Sequence, residues 1–181
     1  VFTHQVLKIL KQEGIRATFF VIGNQAKAYP DVIRKILEEG HVLANHSWKH
    51  AYLPKLTPAQ LKKDLAQTNQ AVFEATGKNM LLLRPPYGAA ENITNLIKSW
   101  NYTIVNWDVD TNDWQKGRTA DQIYNEVIQH AQSGTITLQH NGGGDRSATV
   151  KALPRIIKDL KKRGFKFVTV DEMLKVPAYS N

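Results

Sequence analysis

Two histidines, His46 and His50, lie four residues apart in the segment ANHSWKH, directly after an apolar run. Imidazoles at this spacing can both bind one metal ion, with zinc as the default ion and cobalt or another divalent ion as alternatives. A third ligand, commonly a carboxylate, is expected at a hydrolytic site. In the zinc-protease motif a glutamate follows the first histidine, but Ser47 stands there in this sequence. We therefore predict a metal site at His46 and His50, against the alternative of an exposed histidine pair.

The composition predicts one globular domain over residues 1–181, because 181 residues with 42% hydrophobic content can bury a sizeable core. The net charge of +8 favours anionic surroundings. No nucleic-acid-binding signature is present, so an anionic cell wall or acidic polymer is the favoured partner. The basic run Lys158–Lys166 is interpreted as the end of a helix, where cations interact favourably with the helix dipole. The sequence has no cysteine, no signal peptide and no apolar stretch of membrane-spanning length.

Strand-like and helical segments alternate along the chain, and no dinucleotide-binding glycine motif accompanies them. This alternation predicts an α/β fold with a parallel sheet or barrel. Helices are predicted at 2–13, 30–39, 57–76, 91–99, 119–132 and 149–163 and at the C-terminus, with Pro154 as a late start or a kink. Capping boxes, TPAQ at 57–60 and TADQ at 119–122, mark two of the helix starts, and Gly77 is expected to end the helix 57–76. Strands are predicted at 17–23, 41–47, 80–88, 102–110, 134–140 and 165–170.

Polar or proline-rich segments follow four of these strands, namely NHSWKH, RPPYG, DVDTNDW and QH. The carboxyl ends of barrel strands meet at one rim, where the active sites of such folds lie. We therefore expect these segments to form one site.

The segments NHSWKH, RPPYG, WDVDTNDW and LQH resemble, in order, four of the five motifs of the polysaccharide deacetylases, carbohydrate esterase family 4. The flanking sequences resemble peptidoglycan N-acetylglucosamine deacetylases in particular. The resemblance implies a distorted (β/α) barrel of parallel strands and metal-dependent removal of N-acetyl groups from a bacterial cell-wall glycan, outside the cell or at its surface. Peptidoglycan is favoured over chitin, xylan or exopolysaccharide, and a catalytically silent glycan-binding module is the alternative from another class.

The first motif of that family, T-F-D-D, has no counterpart in this sequence. In the family its first aspartate is the catalytic base and its second is the metal carboxylate. The resemblance therefore implies that the third metal ligand and the first barrel strand lie upstream of Val1. We expect a separate peptide with two aspartates, retained between strands 17–23 and 167–170, and no deacetylase activity from this chain alone. Replacement of the ligand by Asp108, Asp110 or Asp145 is the less favoured alternative.

The resemblance also assigns catalytic roles to four residues. His140 would protonate the departing amine, and Asp113 would hydrogen-bond its imidazole, which suits a general acid because a nearby anion favours the protonated ring. Arg84 would pair with the base aspartate of the missing motif. Tyr87 would offer its backbone N–H to the oxyanion. A structural histidine and a surface arginine are the alternatives for His140 and Arg84.

Four further residues are expected around the substrate. Trp114 and Leu138 would line the acetyl pocket, as the resemblance implies, and ordinary core packing is the alternative for both. Pro85 and Pro86 would shape the substrate-binding loop, although they are equally typical of a plain turn.

Overall fold

The structure, a computed structural model, describes residues 2–180. The chain divides into two compact units. Unit 1 comprises Val1–Arg16 and Trp107–Val168, and unit 2 comprises Ala17–Asn106 and Thr169–Asn181. Among the described residues, no helix has the length and apolar character needed to cross a bilayer.

Helices and strands follow one another through both units. The helices are α1 (Phe2–Glu13), α2 (Gly23–Ala28), α3 (Pro30–Glu38), α4 (Pro58–Thr76), α5 (Thr94–Ser99), α6 (Ala120–His130), α7 (Ser147–Lys162) and α8 (Val170–Leu174). The strands are β1 (Thr18–Val21), β2 (Val42–Asn45), β3 (Asn79–Met80), β4 (Leu82–Leu83), β5 (Thr103–Ile104), β6 (Val109–Asp110), β7 (Thr137–Leu138) and β8 (Tyr179–Ser180).

Unit 2 contains a four-stranded sheet in the order β1-β2-β4-β5, and every pair in it is parallel. All four residues of β2 are buried, which suits its continuous apolar sequence. Strands β3 and β8 form a separate antiparallel pair. The helices cover a core of six residues: Leu53, Leu61, Leu65, Leu83, Ile93 and Ile97.

Unit 1 contains the parallel pair β6 and β7 together with α1, α6 and α7. Helix α7 packs against both α1 and α6. Its apolar face joins that of α6 in a core of five residues: Ile123, Val127, Ala152, Ile156 and Leu160. The predicted α/β class with parallel strands is confirmed in each unit.

The prediction that Pro154 delays the start of this helix was wrong. Helix α7 begins at Ser147 and contains Pro154.

Three strand predictions were wrong in extent. The predicted strand 80–88 is divided, because Leu81 N–H bonds to Ala178 O beside β8, between β3 and β4. The predicted strand 102–110 is divided into β5 and β6, because these belong to different sheets. Residues 165–169 form no strand. Periodicity predicts which faces are apolar, whereas a strand also requires a partner for its backbone groups. Helix α2 and strand β8 were not predicted.

The expected separate strand beside β1 stays a prediction. Among residues 2–180, β1 pairs with β2 and with no other strand. Val170 N–H donates instead to the side-chain oxygen of Thr18, at 3.0 Å.

Candidate active site

The His46 and His50 rings lie side by side in unit 2. Their centroids are 5.0 Å apart and their planes make an angle of 71°. Two imidazoles that share a tetrahedral zinc ion at Zn–N distances of about 2.0–2.1 Å hold their centroids about 5 Å apart. The centroid distance agrees with the prediction that the two histidines share one ion, and metal binding itself stays a prediction.

The tautomer of His46 is set by a backbone contact. Its Nδ1 lies 2.6 Å from the carbonyl oxygen of Arg84. A carbonyl only accepts hydrogen bonds, so Nδ1 carries the proton and the lone pair of the neutral ring lies on Nε2. This is the arrangement that orients a histidine ligand toward a metal ion through its other nitrogen.

Two residues of the histidine loop have left-handed backbone angles that non-glycine residues seldom adopt. They are Ser47, with φ of 65°, and His50, with φ of 62°. Asn45 stabilises the turn, because its side-chain oxygen accepts from Ser47 N–H at 2.9 Å and its amide donates to Leu65 O at 3.0 Å. The loop geometry is thus imposed by its surroundings.

The N-terminus of α2 supports the same loop. Gly23 and Asn24 donate their backbone N–H groups to the carbonyls of Ser47 and Trp48, both at 2.9 Å. On the other side of the peptide, the carboxylate of Asp64 accepts from Trp48 N–H at 2.8 Å. Burial raises the pKa of Asp64, and the hydrogen bond from Trp48 partly opposes that shift.

Gly23 is predicted to tolerate no side chain. A Cβ there would lie 2.5 Å from Trp48 Cε3 and 2.6 Å from Thr68 Oγ1, far inside van der Waals contact. We expect Gly23→Ala to lower the free energy of unfolding by about 1–3 kcal/mol in urea denaturation, and to shift the NMR resonances of both loop histidines. Gly142→Ala is the matched control, since a Cβ there meets nothing within 4 Å. Equal stability of the two variants would contradict the close-packing explanation.

The described residues bring together the two predicted metal ligands, His46 and His50, without a third. Among residues 2–180 no group of three histidine, aspartate or glutamate side chains is placed to hold a metal ion. The three aspartates considered as substitutes each accept a backbone hydrogen bond: Asp108 from Ile136 N–H, Asp110 from Asn112 N–H and Asp145 from Ser147 N–H. The histidine pair therefore fits a metal ion as a partial ligand set.

Arg84 is buried, so the alternative of a surface cation is wrong. Its Nε donates to Val105 O at 3.2 Å and its Nη2 donates to Asn106 O at 2.9 Å. The guanidinium carbon lies 3.9 Å from the ring centroid of Phe20. Burial lowers the pKa of Arg84 to about 10, which still leaves it charged at neutral pH. Its pairing with a base aspartate stays a prediction.

The loop after Arg84 presents Tyr87. Pro85 and Pro86 are buried, which supports their loop-shaping role, and a 3₁₀ turn spans Pro86–Gly88. Tyr87 has φ of 62° within this turn, and its side chain is 66% exposed. Asn106 fixes the end of the turn by donating to Gly88 O at 3.2 Å. Delivery of the Tyr87 N–H to an oxyanion stays a prediction.

Asp113 and His140 form the second cluster, in unit 1. Asp113 Oδ1 lies 2.6 Å from His140 Nδ1, and Asp113 Oδ2 accepts from His140 backbone N–H at 2.7 Å. The Asp113 carboxylate is fully buried, whereas the His140 side chain is 34% exposed. The prediction that the two residues are hydrogen-bonded is confirmed.

Further contacts stabilise the charged form of Asp113. Burial alone would raise its pKa, but hydrogen bonds from the ring and backbone of His140 and from Thr149 Oγ1 at 2.8 Å outweigh burial and lower it. Arg146 Nη1 donates to the backbone carbonyl of Asp113 at 3.0 Å. The carboxylate therefore holds a proton on His140 Nδ1, so the lone pair of the neutral ring lies on Nε2.

The two predicted acetyl-pocket residues differ in exposure. Trp114 is 53% exposed, so core packing does not explain it. Leu138 is 8% exposed, and its carbonyl accepts from Thr111 Oγ1 at 2.8 Å, so both of its interpretations stay open.

Several positioning residues were not predicted from the sequence. They are Gly23, Asn45, Asp64, Arg146 and Thr149. Asn45 had a local signal, because an Asx side chain two residues before a polar residue is typical of a turn. The others act across long sequence separations and had none.

Comparison with known proteins agrees with this geometry. The family described as "Polysaccharide deacetylase" matches residues 1–105. A "Peptidoglycan-N-acetylglucosamine deacetylase" of Bacillus cereus is 38% identical over 174 residues, which are 95% of this chain and 63% of that protein. The chain therefore spans less than two thirds of that relative.

Solved structures give the same family. The Bc1960 peptidoglycan N-acetylglucosamine deacetylase aligns with a TM-score of 0.95 and 36% identity, over 99% of this chain and 84% of that one. BA3943 of Bacillus anthracis, described as a pseudoenzyme of family CE4, aligns with a TM-score of 0.88 and 28% identity, over 96% of this chain and 60% of that one. The family match covers more than half of the sequence, and the chain belongs to the polysaccharide deacetylase family.

Proposed function

We propose that the chain is the catalytic domain of a metal-dependent hydrolase that removes N-acetyl groups from peptidoglycan N-acetylglucosamine in the bacterial cell wall. The observation that carries the proposal is the pair of His46 and His50, whose ring centroids are 5.0 Å apart. The proton of the neutral His46 ring is fixed on Nδ1. The names of the relatives support the substrate class. Secretion to the cell surface belongs to the same proposal, since the substrate lies outside the membrane.

Each residue has a defined part in this reaction. His46 and His50 would hold a divalent ion, zinc by preference or cobalt, which supplies Lewis-acid activation of the amide carbonyl and of water when bound. The Tyr87 backbone N–H would stabilise the oxyanion. His140 would protonate the departing glucosamine nitrogen, because an unprotonated amine leaves poorly, while Asp113 keeps its ring oriented. Acetate is the second product.

The proposal includes a completing segment. The resemblance places the base aspartate and the metal carboxylate on a strand that this sequence does not contain, and β1 has a strand on one side only among the described residues. We propose that a strand bearing two adjacent aspartates, as a retained peptide or an upstream part of a longer chain, pairs with β1. Parallel addition would satisfy the backbone groups on that edge.

A second candidate is a catalytically silent glycan-binding module. The absence of a three-residue metal group among residues 2–180 and the likeness to the BA3943 pseudoenzyme favour it. This candidate requires glycan binding without acetate release.

Acetate release from N-acetylated peptidoglycan separates the two candidates. The assay compares residues 1–181 with an extended protein, in which the same chain is preceded by a strand carrying T-F-D-D, each in the presence of zinc or cobalt. We expect acetate only from the extended protein, and none when its second aspartate is replaced by alanine. Inactivity of the extended protein on peptidoglycan, chitin and xylan would favour the silent module, and activity on chitin or xylan alone would change the substrate.

A further inference from the structure

One face of helix α7 carries a line of cations. Lys151, Arg155, Lys158 and Lys162 recur at intervals of four, three and four residues, and all four are exposed. Because an α-helix turns about 100° per residue, these side chains lie within about 60° of one another around the helix axis. The line is roughly 16 Å long, since each residue adds about 1.5 Å. We call these four residues the α7 cation row.

The helix dipole explains only one end of the α7 cation row. Cations stabilise the last turn of a helix, where Lys162 lies. Lys151 lies in the second turn of α7 and Arg155 near its middle, where the dipole does not favour a cation. Like charges three or four residues apart also repel each other and destabilise a helix. The stability of α7 therefore does not account for the row.

Carboxylates of this chain neutralise the middle of the row only in part. Arg155 pairs with Asp121 at 2.5 Å. Lys158 lies 3.9 Å from a carboxylate oxygen of Glu13, on the neighbouring helix α1. Lys161 lies 3.9 Å from the other oxygen of the same carboxylate, so two ammonium groups share one negative charge.

The two ends of the row are Lys151 and Lys162. Neither forms an ion pair with a carboxylate among residues 2–180. Lys151 acts on Asp145 only as a distant charge, because the lowered pKa of that carboxyl depends first on hydrogen bonds from Ser147 and then on the charges of Arg146 and Lys151. The row therefore presents an excess of positive charge to solvent.

The chemistry of the row selects a class of polyanion. An ammonium group binds a phosphate as a point charge, whereas bidentate recognition of a carboxylate uses the arginine fork. The fork in the row, Arg155, is already held by Asp121, so the charges left for a partner are ammonium groups. Helix α7 contains no aromatic residue on which the bases of a single-stranded nucleic acid could stack. A straight row of ammonium groups thus matches a linear phosphodiester polymer without bases.

We propose that the α7 cation row binds a linear phosphodiester polymer of the bacterial cell wall, with one negative charge in each repeat, as in poly(glycerol phosphate). The wall as the source of the polymer rests on the proposed function. Binding itself requires neither the candidate metal site nor His140. It would retain the protein in the wall independently of its affinity for the acetylated glycan.

The test measures dissociation constants of residues 1–181 for poly(glycerol phosphate) at salt concentrations from about 50 to 300 mM. We expect the double variant Lys151→Gln/Lys162→Gln to bind about tenfold more weakly at about 0.1 M salt, because each lysine that neutralises a phosphate releases a counterion. The slope of log Kd against log salt should fall by about 0.7 per lysine. Lys27→Gln/Lys98→Gln is the matched control, since it removes the same charge from two exposed lysines in unit 2.

Equal weakening by the two double variants would overturn the surface, because net charge alone would then drive binding. Tighter binding to polyglutamate or to oligothymidylate than to poly(glycerol phosphate) would replace the proposed partner by a carboxylate polymer or a nucleic acid. The outcome is separable from the proposed reaction. Row-dependent binding together with an inactive extended protein would support the surface and reject the deacetylase. Acetate release by an extended protein that does not bind poly(glycerol phosphate) would reject the surface alone.

Discussion

Replacing His140 by alanine in the extended protein is expected to lower kcat about 10²–10⁴-fold, the usual contribution of a general acid. The imidazole lies 2.6 Å from a fully buried carboxylate and is itself 34% exposed, so it is oriented and still accessible. The backbone N–H of residue 140 still bonds to Asp113 in the variant, so the fold should survive. Initial rates of acetate release measure the effect.

The matched control is His130→Ala, which removes an exposed histidine from the same unit, on α6. It should leave kcat unchanged. Zinc content should be the same in all three proteins, because His140 is assigned to proton transfer and not to metal binding. Loss of zinc together with activity would remove His140 from the general-acid role.

Asp113→Asn is expected to lower kcat on the order of 10²–10⁴-fold and the free energy of unfolding at pH 7 by about 2–4 kcal/mol. The carboxylate accepts from His140 Nδ1, His140 N–H and Thr149 Oγ1, whereas an amide has one acceptor oxygen only. One donor is left without its partner, or the imidazole changes tautomer and presents the wrong nitrogen. Acetate release and urea denaturation measure the two effects.

The stability difference between wild type and Asp113→Asn should depend on pH. The pKa of Asp113 is lowered in the folded state, so its contribution to stability is fully present above the ordinary aspartate pKa of about 3.9. The contribution is lost as the pH falls from that value through the lowered pKa. Denaturation at pH 7, 5, 4 and 3 should therefore show a constant difference that shrinks below about pH 4.

Asp121→Asn controls for the loss of a carboxylate in the same unit. Asp121 pairs with Arg155 on the surface with 75% of its side chain exposed, so the substitution should cost less than about 1 kcal/mol at any of these pH values. If the stability difference between wild type and Asp113→Asn grew on acidification, burial and not the hydrogen bonds would dominate the pKa of Asp113.

Features that depend on neighbouring residues were predicted well from the sequence. The capping boxes that begin α4 and α6 form both of their reciprocal hydrogen bonds, at Thr57 with Gln60 and at Thr119 with Gln122. Gly77 ends α4 in the left-handed conformation. These signals need only a few residues of chain, so tertiary context cannot easily override them.

Features that depend on residues distant in the sequence were not predicted well. The segment 165–169 has a strand-like sequence and no ladder, while Tyr179–Ser180 forms a strand because β3 lies beside it. At the candidate site, the bond between Asp113 and His140 joins residues 27 positions apart and was predicted from the family resemblance, not from spacing. Gly23 has no motif of its own, and its importance emerges only from the packing of Trp48 and Thr68.

The single-sided pairing of β1 has a consequence for the behaviour of this chain in solution. Among residues 2–180, the edge of β1 away from β2 has no strand partner, and its sequence TFFV is short and uncharged, the type of strand that pairs with the same strand of another copy. The net charge of +8 keeps copies apart by mutual repulsion, and salt screens that repulsion over about 10 Å at 0.1 M. Raising the ionic strength should therefore promote self-association of residues 1–181, whereas covering the edge of β1 should suppress it.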